Sequence, residues 1–373
     1  MPPEDDCPLI YGAKPGYAEF ALDCLARNRP AIVKSHHLVS RWPATRRWRC
    51  KDGTLNSDTL EQDCGHHSVT VADCSRRDFS DHVRLERTLS EVLTLWREGA
   101  GQSLYIKDWH LAQAEDSVAP AQKHSRLSSS FYEVLDLVED DWLNRYYLST
   151  TKDDFRFVYL GQAGTLTPVH RDVYCSYSWS TNIVGRKRWW LFPPAQAQWL
   201  RQGSQTIFDY RAIDPTAFPN AHRLCPYIIE QAPGETIFVP SGWYHQVENL
   251  DLCLSINHNW LNSYCLTNVC RAIIDKVEEV QLALADVKDL LETRSGDPNW
   301  QLQWHEVVQR LVEQDSGWSW TTFWQMVDHN SSIDVQQDPV SPSLRPADSF
   351  VAEQIARCRA MYSTRPESQI IAI

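Results

Sequence analysis

Thr167-Pro-Val-His170-Arg-Asp172 and, further along, Pro240-Ser-Gly-Trp-Tyr-His245 are the stretches on which the fold reading turns. The first follows a turn bearing Gly161 and Gly164 and precedes a strand-like run from Tyr174 to Val184. The second closes the strand-like run Ile237-Phe-Val-Pro240. Residues two apart on a strand point to the same side, so His170 and Asp172 can reach one point together. His245 would arrive from a strand distant in sequence but adjacent in a jelly roll. Two imidazoles and one carboxylate bind iron(II) on one face and leave three positions open. Two of these suit a bidentate 2-oxo acid and one suits O₂. The absence of cysteine from the set argues against a structural zinc site. A bare His-x-Asp pair is weak on its own: with 13 histidines in the chain, on the order of one arises by chance. The plain alternative is a histidine satisfied by a neighbouring acid. The flanking turns and strands, and a lysine between the two blocks, lift the metal reading above it.

That lysine lies in Gly185-Arg-Lys-Arg-Trp-Trp-Leu-Phe-Pro-Pro194. On a strand, Lys187, Trp189 and Leu191 share one face, and Arg186, Arg188 and Trp190 the other. A lysine on an apolar inner face is costly unless an anion pairs with it. The distal carboxylate of a 2-oxo diacid would be such an anion. The alternative is a surface lysine in a basic cluster.

Outward from these blocks, residues 101–262 are dominated by short strand-like runs. They are Ser103 to Lys107, Phe155 to Leu160, Tyr174 to Val184, Lys187 to Phe192, Tyr227 to Glu230, Glu235 to Val239 and Cys253 to Asn257. Gly185, Pro193-Pro194, Pro233-Gly234 and Pro240-Ser-Gly242 separate them, a pattern of sandwiches and jelly rolls. Residues 1–100 mix elements, with a helix expected over Tyr17 to Ala26 and strands over Pro30 to Val33 and Ser68 to Ala72. The apolar positions Val83, Leu85, Leu89, Val92, Leu93 and Trp96 predict a helix from Asp81 to Trp96. Residues 263–330 turn helical. Ile273, Val277, Val280, Leu284, Val287 and Leu291 form a heptad-like seam, which either packs on its own domain or joins two chains as a homodimer. Further helices are expected from Trp304 to Gln314 and through Trp318 to Val327. Residues 331–373 read as a polar, proline-bearing linker (Pro339, Pro342, Pro346) before a short helix, Ala347 to Tyr362.

Composition limits the function classes. The 373 residues carry a net charge of −12 and eleven cysteines without a Cys-x-x-Cys pair. The acidic balance argues against nucleic acid as the main ligand and suits a basic peptide or protein. No run of 18 apolar residues marks a membrane span. The start, Met1-Pro-Pro-Glu-Asp-Asp-Cys7, lacks the apolar core of a secretory signal, so free thiols in a reducing cytoplasm are expected.

Three blocks carry a specific resemblance: Gly164 to Asp172, Trp179 to Trp189, and Val239 to Val247. Together they resemble the jumonji C (JmjC) family of iron(II)- and 2-oxoglutarate-dependent oxygenases. Leu254-Ser-Ile-Asn-His-Asn-Trp-Leu-Asn262 resembles a subfamily of lysyl hydroxylases acting on the translation release factor that recognises stop codons. The clear similarity covers roughly residues 103–262. It implies a mainly β fold: a double-stranded β-helix (jelly roll, cupin-like) core with N-terminal α/β elements and a C-terminal helical region. It implies His170, Asp172 and His245 as iron ligands and Lys187 and Thr167 on the C5 carboxylate of 2-oxoglutarate. Tyr105 resembles a cosubstrate-binding tyrosine, the alternative being a core residue. Asn257 occupies a place where relatives put a polar cosubstrate contact, and Ser180 and Asn182 are similar candidates. Tyr174, Tyr177, Trp179, Trp243 and Tyr244 either form a substrate channel or pack the jelly roll. The implied reaction consumes O₂ and 2-oxoglutarate and hydroxylates a protein lysine. Two alternatives stand beside it. A histone lysine demethylase uses the same cofactors, but such enzymes usually carry Glu where Asp172 stands. A catalytically silent binding module shares the fold without the chemistry.

Overall fold

The computed structural model describes residues 6–118, 127–151, 153–203, 205–294, 299–333 and 340–370. Met1 to Asp5 and Pro339, which the sequence reading used, lie outside the described residues. The strands are β1 (Leu9–Tyr11), β2 (Ala31–Lys34), β3 (Ser68–Asp78), β4 (Asp81–Thr88), β5 (Leu104–Trp109), β6 (Arg156–Gly161), β7 (Leu166–Arg171), β8 (Tyr177–Val184) and β9 (Lys187–Phe192). They continue with β10 (Arg201–Gln202), β11 (Gln205–Thr206), β12 (Tyr227–Gln231), β13 (Glu235–Val239), β14 (Tyr244–Asn249) and β15 (Cys253–Trp260). A large sheet runs β1-β2-β13-β8-β15-β6-β5-β3-β4, and a smaller one runs β12-β9-β14-β7.

The two sheets close on each other through apolar residues at alternate positions. Ile32, Ile237 and Val239 from the large sheet meet Trp189, Leu191 and Val247 from the small one. The other face of β9 sends Trp190 and Phe192 into a separate cluster with Leu200, Ile207 and Leu224. The expected alternation of Lys187, Trp189 and Leu191 is therefore present, and it faces inward. Gly185 makes the β8–β9 turn possible. Its φ is +76°, and a Cβ there would sit 2.3 Å from the Leu252 carbonyl oxygen. This is the jelly-roll core, and β1 to β4 from the first hundred residues extend its large sheet.

Several elements differ from the sequence reading. Asp81 to Trp96 is not one helix: β4 occupies Asp81–Thr88 and a helix follows over Leu89–Arg97. Val83 and Leu85 are two apart, a strand period, whereas Leu89, Val92, Leu93 and Trp96 keep the helical period. Thr88 marks the change with a capping box, accepting from Glu91 N while its own amide donates to the Glu91 carboxylate. The run from Tyr174 splits, with a 3₁₀ turn over Val173–Cys175 before β8 begins at Tyr177. Tyr17 to Ala26 is one α turn followed by a π turn over Ala21–Leu25.

The C-terminal region is helical, over Leu266–Ala283, Ala285–Arg294, Trp300–Ser316, Trp320–Ser331 and Asp348–Ser363. The heptad seam is interrupted at Leu284, between two helices. Ile273 and Val277 are buried, and Val280, Leu284, Val287 and Leu291 pack against the chain's own main core. The Asp348–Ser363 helix is no loose end. It packs against Leu266–Ala283, burying Cys358 and Tyr362, with Tyr362 on the Trp320 ring at 4.7 Å. No helix among the described residues is long and apolar enough to cross a membrane.

Candidate active site

β7 and β14 are neighbours, and their register sets His245 opposite His170. The two rings lie 4.1 Å apart, centroid to centroid. β7 ends at Arg171, so Asp172 stands just beyond the strand rather than on it. Its Oδ2 still comes to 3.9 Å from His245 Nε2. One ligand atom from each of the three residues lies within 4.8 Å of the others. Positive φ at Tyr174 and Cys175 turns the chain from Asp172 back into β8. That return brings in Ser178, whose hydroxyl donates to Asp172 Oδ2 at 2.7 Å.

Backbone carbonyls orient both imidazoles. His170 Nδ1 lies 2.9 Å from the Pro168 oxygen and His245 Nδ1 lies 3.3 Å from the Trp243 oxygen. With Nδ1–H donating, each ring presents its Nε2 lone pair to the shared point. Burial, reinforced by His245, pushes the His170 pKa well down and keeps that ring neutral. Trp189 stacks over His245 at 5.7 Å and holds it from the apolar side. Two imidazoles and a carboxylate suit divalent iron.

Lys187 lies deeper between the sheets and is 2 % exposed. Its Nζ donates to Ser255 Oγ at 2.6 Å, and that hydroxyl donates to Asn257 Oδ1 at 2.9 Å. Among the described residues no carboxylate is within ion-pair distance of it. Burial pushes its pKa down to about 8. A buried ammonium held by a hydroxyl and the face of the Tyr159 ring fits an anion that arrives from outside. Tyr105 is buried beside it. Burial raises its pKa, against the opposing effect of the polar groups of Thr167 and Asn249.

One pocket collects His170, Asp172, His245, Lys187, Thr167, Tyr105 and Asn257, all seven site residues expected from sequence. Ser180 and Asn182 do not line it. Ser180 is buried on the same face of β8 as Ser178, and its hydroxyl has no hydrogen-bond partner among the described residues. Asn182 Nδ2 donates to the carbonyls of Gly185 and Gln231 and braces the β8–β9 turn. The aromatic residues offered as a channel lie elsewhere. Tyr177, Trp179 and Trp243 are core, Tyr244 joins the outer cluster, and Tyr174 stacks on Trp318 at 4.1 Å.

The sequence reading missed Tyr159, Asn259, Ser178 and Ser255, which line or brace this pocket. The inner face of β6 and β15 would have indicated Tyr159, Ser255 and Asn259 once Asn257 was placed on it. A second, outer cleft reaches His170 and Asp172 of the triad. Its walls include Phe155, Phe157 and Tyr159, together with Asp81, Arg84, Lys107 and Asp108.

Comparison with known proteins agrees with this geometry. The cupin-like domain model matches residues 17–265. The human 2-oxoglutarate and iron-dependent oxygenase JMJD4 is 34% identical over 331 residues, 85% of this chain and 74% of that protein. The arginine-specific demethylase JMJ20 of Arabidopsis thaliana is 34% identical over 304 residues, 76% of this chain. The bifunctional arginine demethylase and lysyl-hydroxylase psr-1 of Caenorhabditis briggsae is 28% identical over 274 residues, 69% of this chain. The chain spans less than two thirds of the last two proteins, 63% and 62% of their lengths. With the domain match covering most of the chain and the triad assembled as such enzymes require, the chain belongs to the cupin-like JmjC family of 2-oxoglutarate- and iron-dependent oxygenases.

Proposed function

We propose that this chain is a protein hydroxylase that places a hydroxyl group on a lysine side chain of a translation release factor. The observation that carries the cosubstrate assignment is that one pocket holds both the triad and the buried Lys187, whose hydrogen bond goes to a neutral hydroxyl. A metal and a cation so arranged fit a dianionic 2-oxo acid.

In this reading His170, Asp172 and His245 hold the iron(II). Lys187 and Thr167 take the far carboxylate of 2-oxoglutarate, and Tyr105 and Asn257 fix the same molecule from the side. Ser178 keeps the Asp172 carboxylate from rotating. Trp189 and Val247 exclude water behind His245. When bound, the iron and 2-oxoglutarate supply an O₂-dependent oxidation that yields succinate and CO₂ and puts one oxygen atom into a C–H bond. The outer cleft gives a target side chain access to His170 and Asp172. The free thiols of all eleven cysteines suit a reducing compartment such as the cytoplasm. The release factor rests on the resemblance of Leu254 to Asn262, while the JMJD4 relatives support the oxygenase chemistry alone. The acidic chain suits a basic target segment.

A second reading, arginine demethylation, is favoured by the names of the Arabidopsis and Caenorhabditis relatives. Mass spectrometry after incubation with iron(II), 2-oxoglutarate, O₂ and either a release factor or methylated peptides separates the two. Gain of one oxygen on a lysine supports the hydroxylase. Loss of a methyl group from arginine, with the release factor unmodified, would replace it.

A further inference from the structure

The inner pocket and the outer cleft share Tyr159, Thr167, His170, Asp172 and Asn259. Lys187 closes the inner one, so the outer cleft is left for the molecule that is oxidised. Its inner wall is a ladder that begins just before β6 and continues along one face of it. Phe155, Phe157 and Tyr159 succeed one another at ring separations of 6.4 and 6.3 Å. Such a strip suits the aliphatic stem of a long side chain.

The ladder ends on a carboxylate. The Tyr159 hydroxyl donates to Asp108 Oδ1 at 2.7 Å, and Arg84 Nη1 donates to Asp108 Oδ2 at 2.7 Å. Asp108 does not reach this place by regular strand geometry. Its φ is +53°, and the β5–β6 register shifts between Ile106 and Trp109. A bulge of this kind re-aims a side chain beside an active site, and a non-glycine residue with positive φ is a strained choice that the surroundings must hold. The neighbouring cations are already engaged. Arg84 also binds Asp81, and Lys107 Nζ lies 3.3 Å from Asp81. Burial would raise the Asp108 pKa, but Lys107, Arg84 and Tyr159 hold it below the usual carboxylate range, so it is ionised at neutral pH. Each of its oxygens accepts one of these hydrogen bonds and has room for another. About a third of the side chain is open to solvent (35 %).

We propose that Asp108 is the specificity-determining residue of the outer cleft, taking the positive head of a lysine whose stem lies on the Phe155–Phe157–Tyr159 ladder. This rests on the proposed hydroxylase reading and adds to it the group that selects the target.

The test uses matched arrays of short peptides whose central residue is lysine or uncharged norleucine. Binding to the full chain is measured without metal, and oxidation is measured with iron(II) and 2-oxoglutarate. Wild type is expected to prefer lysine about 10- to 100-fold, the range of a hydrogen bond to a charged group. Asp108→Asn is expected to erase that preference by weakening lysine binding while norleucine binding holds. Asparagine tolerates the left-handed backbone, so this variant keeps the turn. Asp108→Glu, longer by one methylene, should recover part of the preference. An unchanged preference in Asp108→Asn, or a wild type that treats the two residues alike while still turning over 2-oxoglutarate, overturns the role of Asp108 alone. A wild type that neither consumes 2-oxoglutarate nor oxidises any peptide overturns the hydroxylase reading, and this role with it.

Discussion

A side chain's partners decide what it can do, and Lys187 shows this most directly. Burial pushes its pKa from the ordinary 10.5 down to about 8. Across that interval the unfolded chain holds the extra proton, so this residue's contribution to stability rises with pH. Binding of 2-oxoglutarate needs the ammonium and should run the other way, weakening as pH passes about 8. Titrating cosubstrate affinity and melting temperature together, for wild type and Lys187→Met, checks both signs. Parallel pH curves for the two proteins would remove Lys187 from the pocket. Ser178→Ala should lower iron(II) affinity about 10- to 100-fold by freeing the Asp172 carboxylate, an effect read by metal competition. His170, Asp172, His245 and Lys187 were legible because their chemistry is unusual at those spacings. Asp108 and Ser178 were not. An aspartate in a short strand looks like any surface acid, and neither its positive φ nor the turn that brings Ser178 to Asp172 leaves a pattern in the sequence.

Elements were read well where one period ran unbroken, as in β9 and β13, and badly where two periods met. The Asp81 to Trp96 stretch joins a two-residue period to a helical one, and the Thr88 cap marks where one gives way to the other. Thr88→Ala should therefore destabilise the protein by about 1 kcal/mol, measured by denaturant unfolding, without moving β4. Gly161 offers a link between element and site. A Cβ there would lie 2.4 Å from the Tyr105 ring and 2.7 Å from Thr165 Oγ1. Gly161→Ala is expected to displace Tyr105 and weaken 2-oxoglutarate binding more than it lowers the melting temperature. The opposite ranking would show Tyr105 to be core rather than pocket.

Taken whole, the molecule is held from both ends. The first strands extend the large sheet, and the last long helix buries Tyr362 against Trp320 and Trp324. The short helix expected over Ala347 to Tyr362 is present at Asp348–Ser363, but its docking on the core was not legible, because a helix that buries only a few of its own residues has a faint apolar stripe. Tyr362→Ala should cost about 3 kcal/mol, as large aromatic truncations in cores do, and ending the chain at residue 346 should lower the melting temperature sharply. A truncated protein that melts like the full chain would make the helix dispensable. The pairing of β7 with β14 has one more consequence. His170 and His245 come together only after the intervening hairpins have been threaded into place, so no stretch of nascent chain can assemble the iron site early. Oxidising power is thereby withheld until the barrel has closed, and a misfolded copy is also an unarmed one.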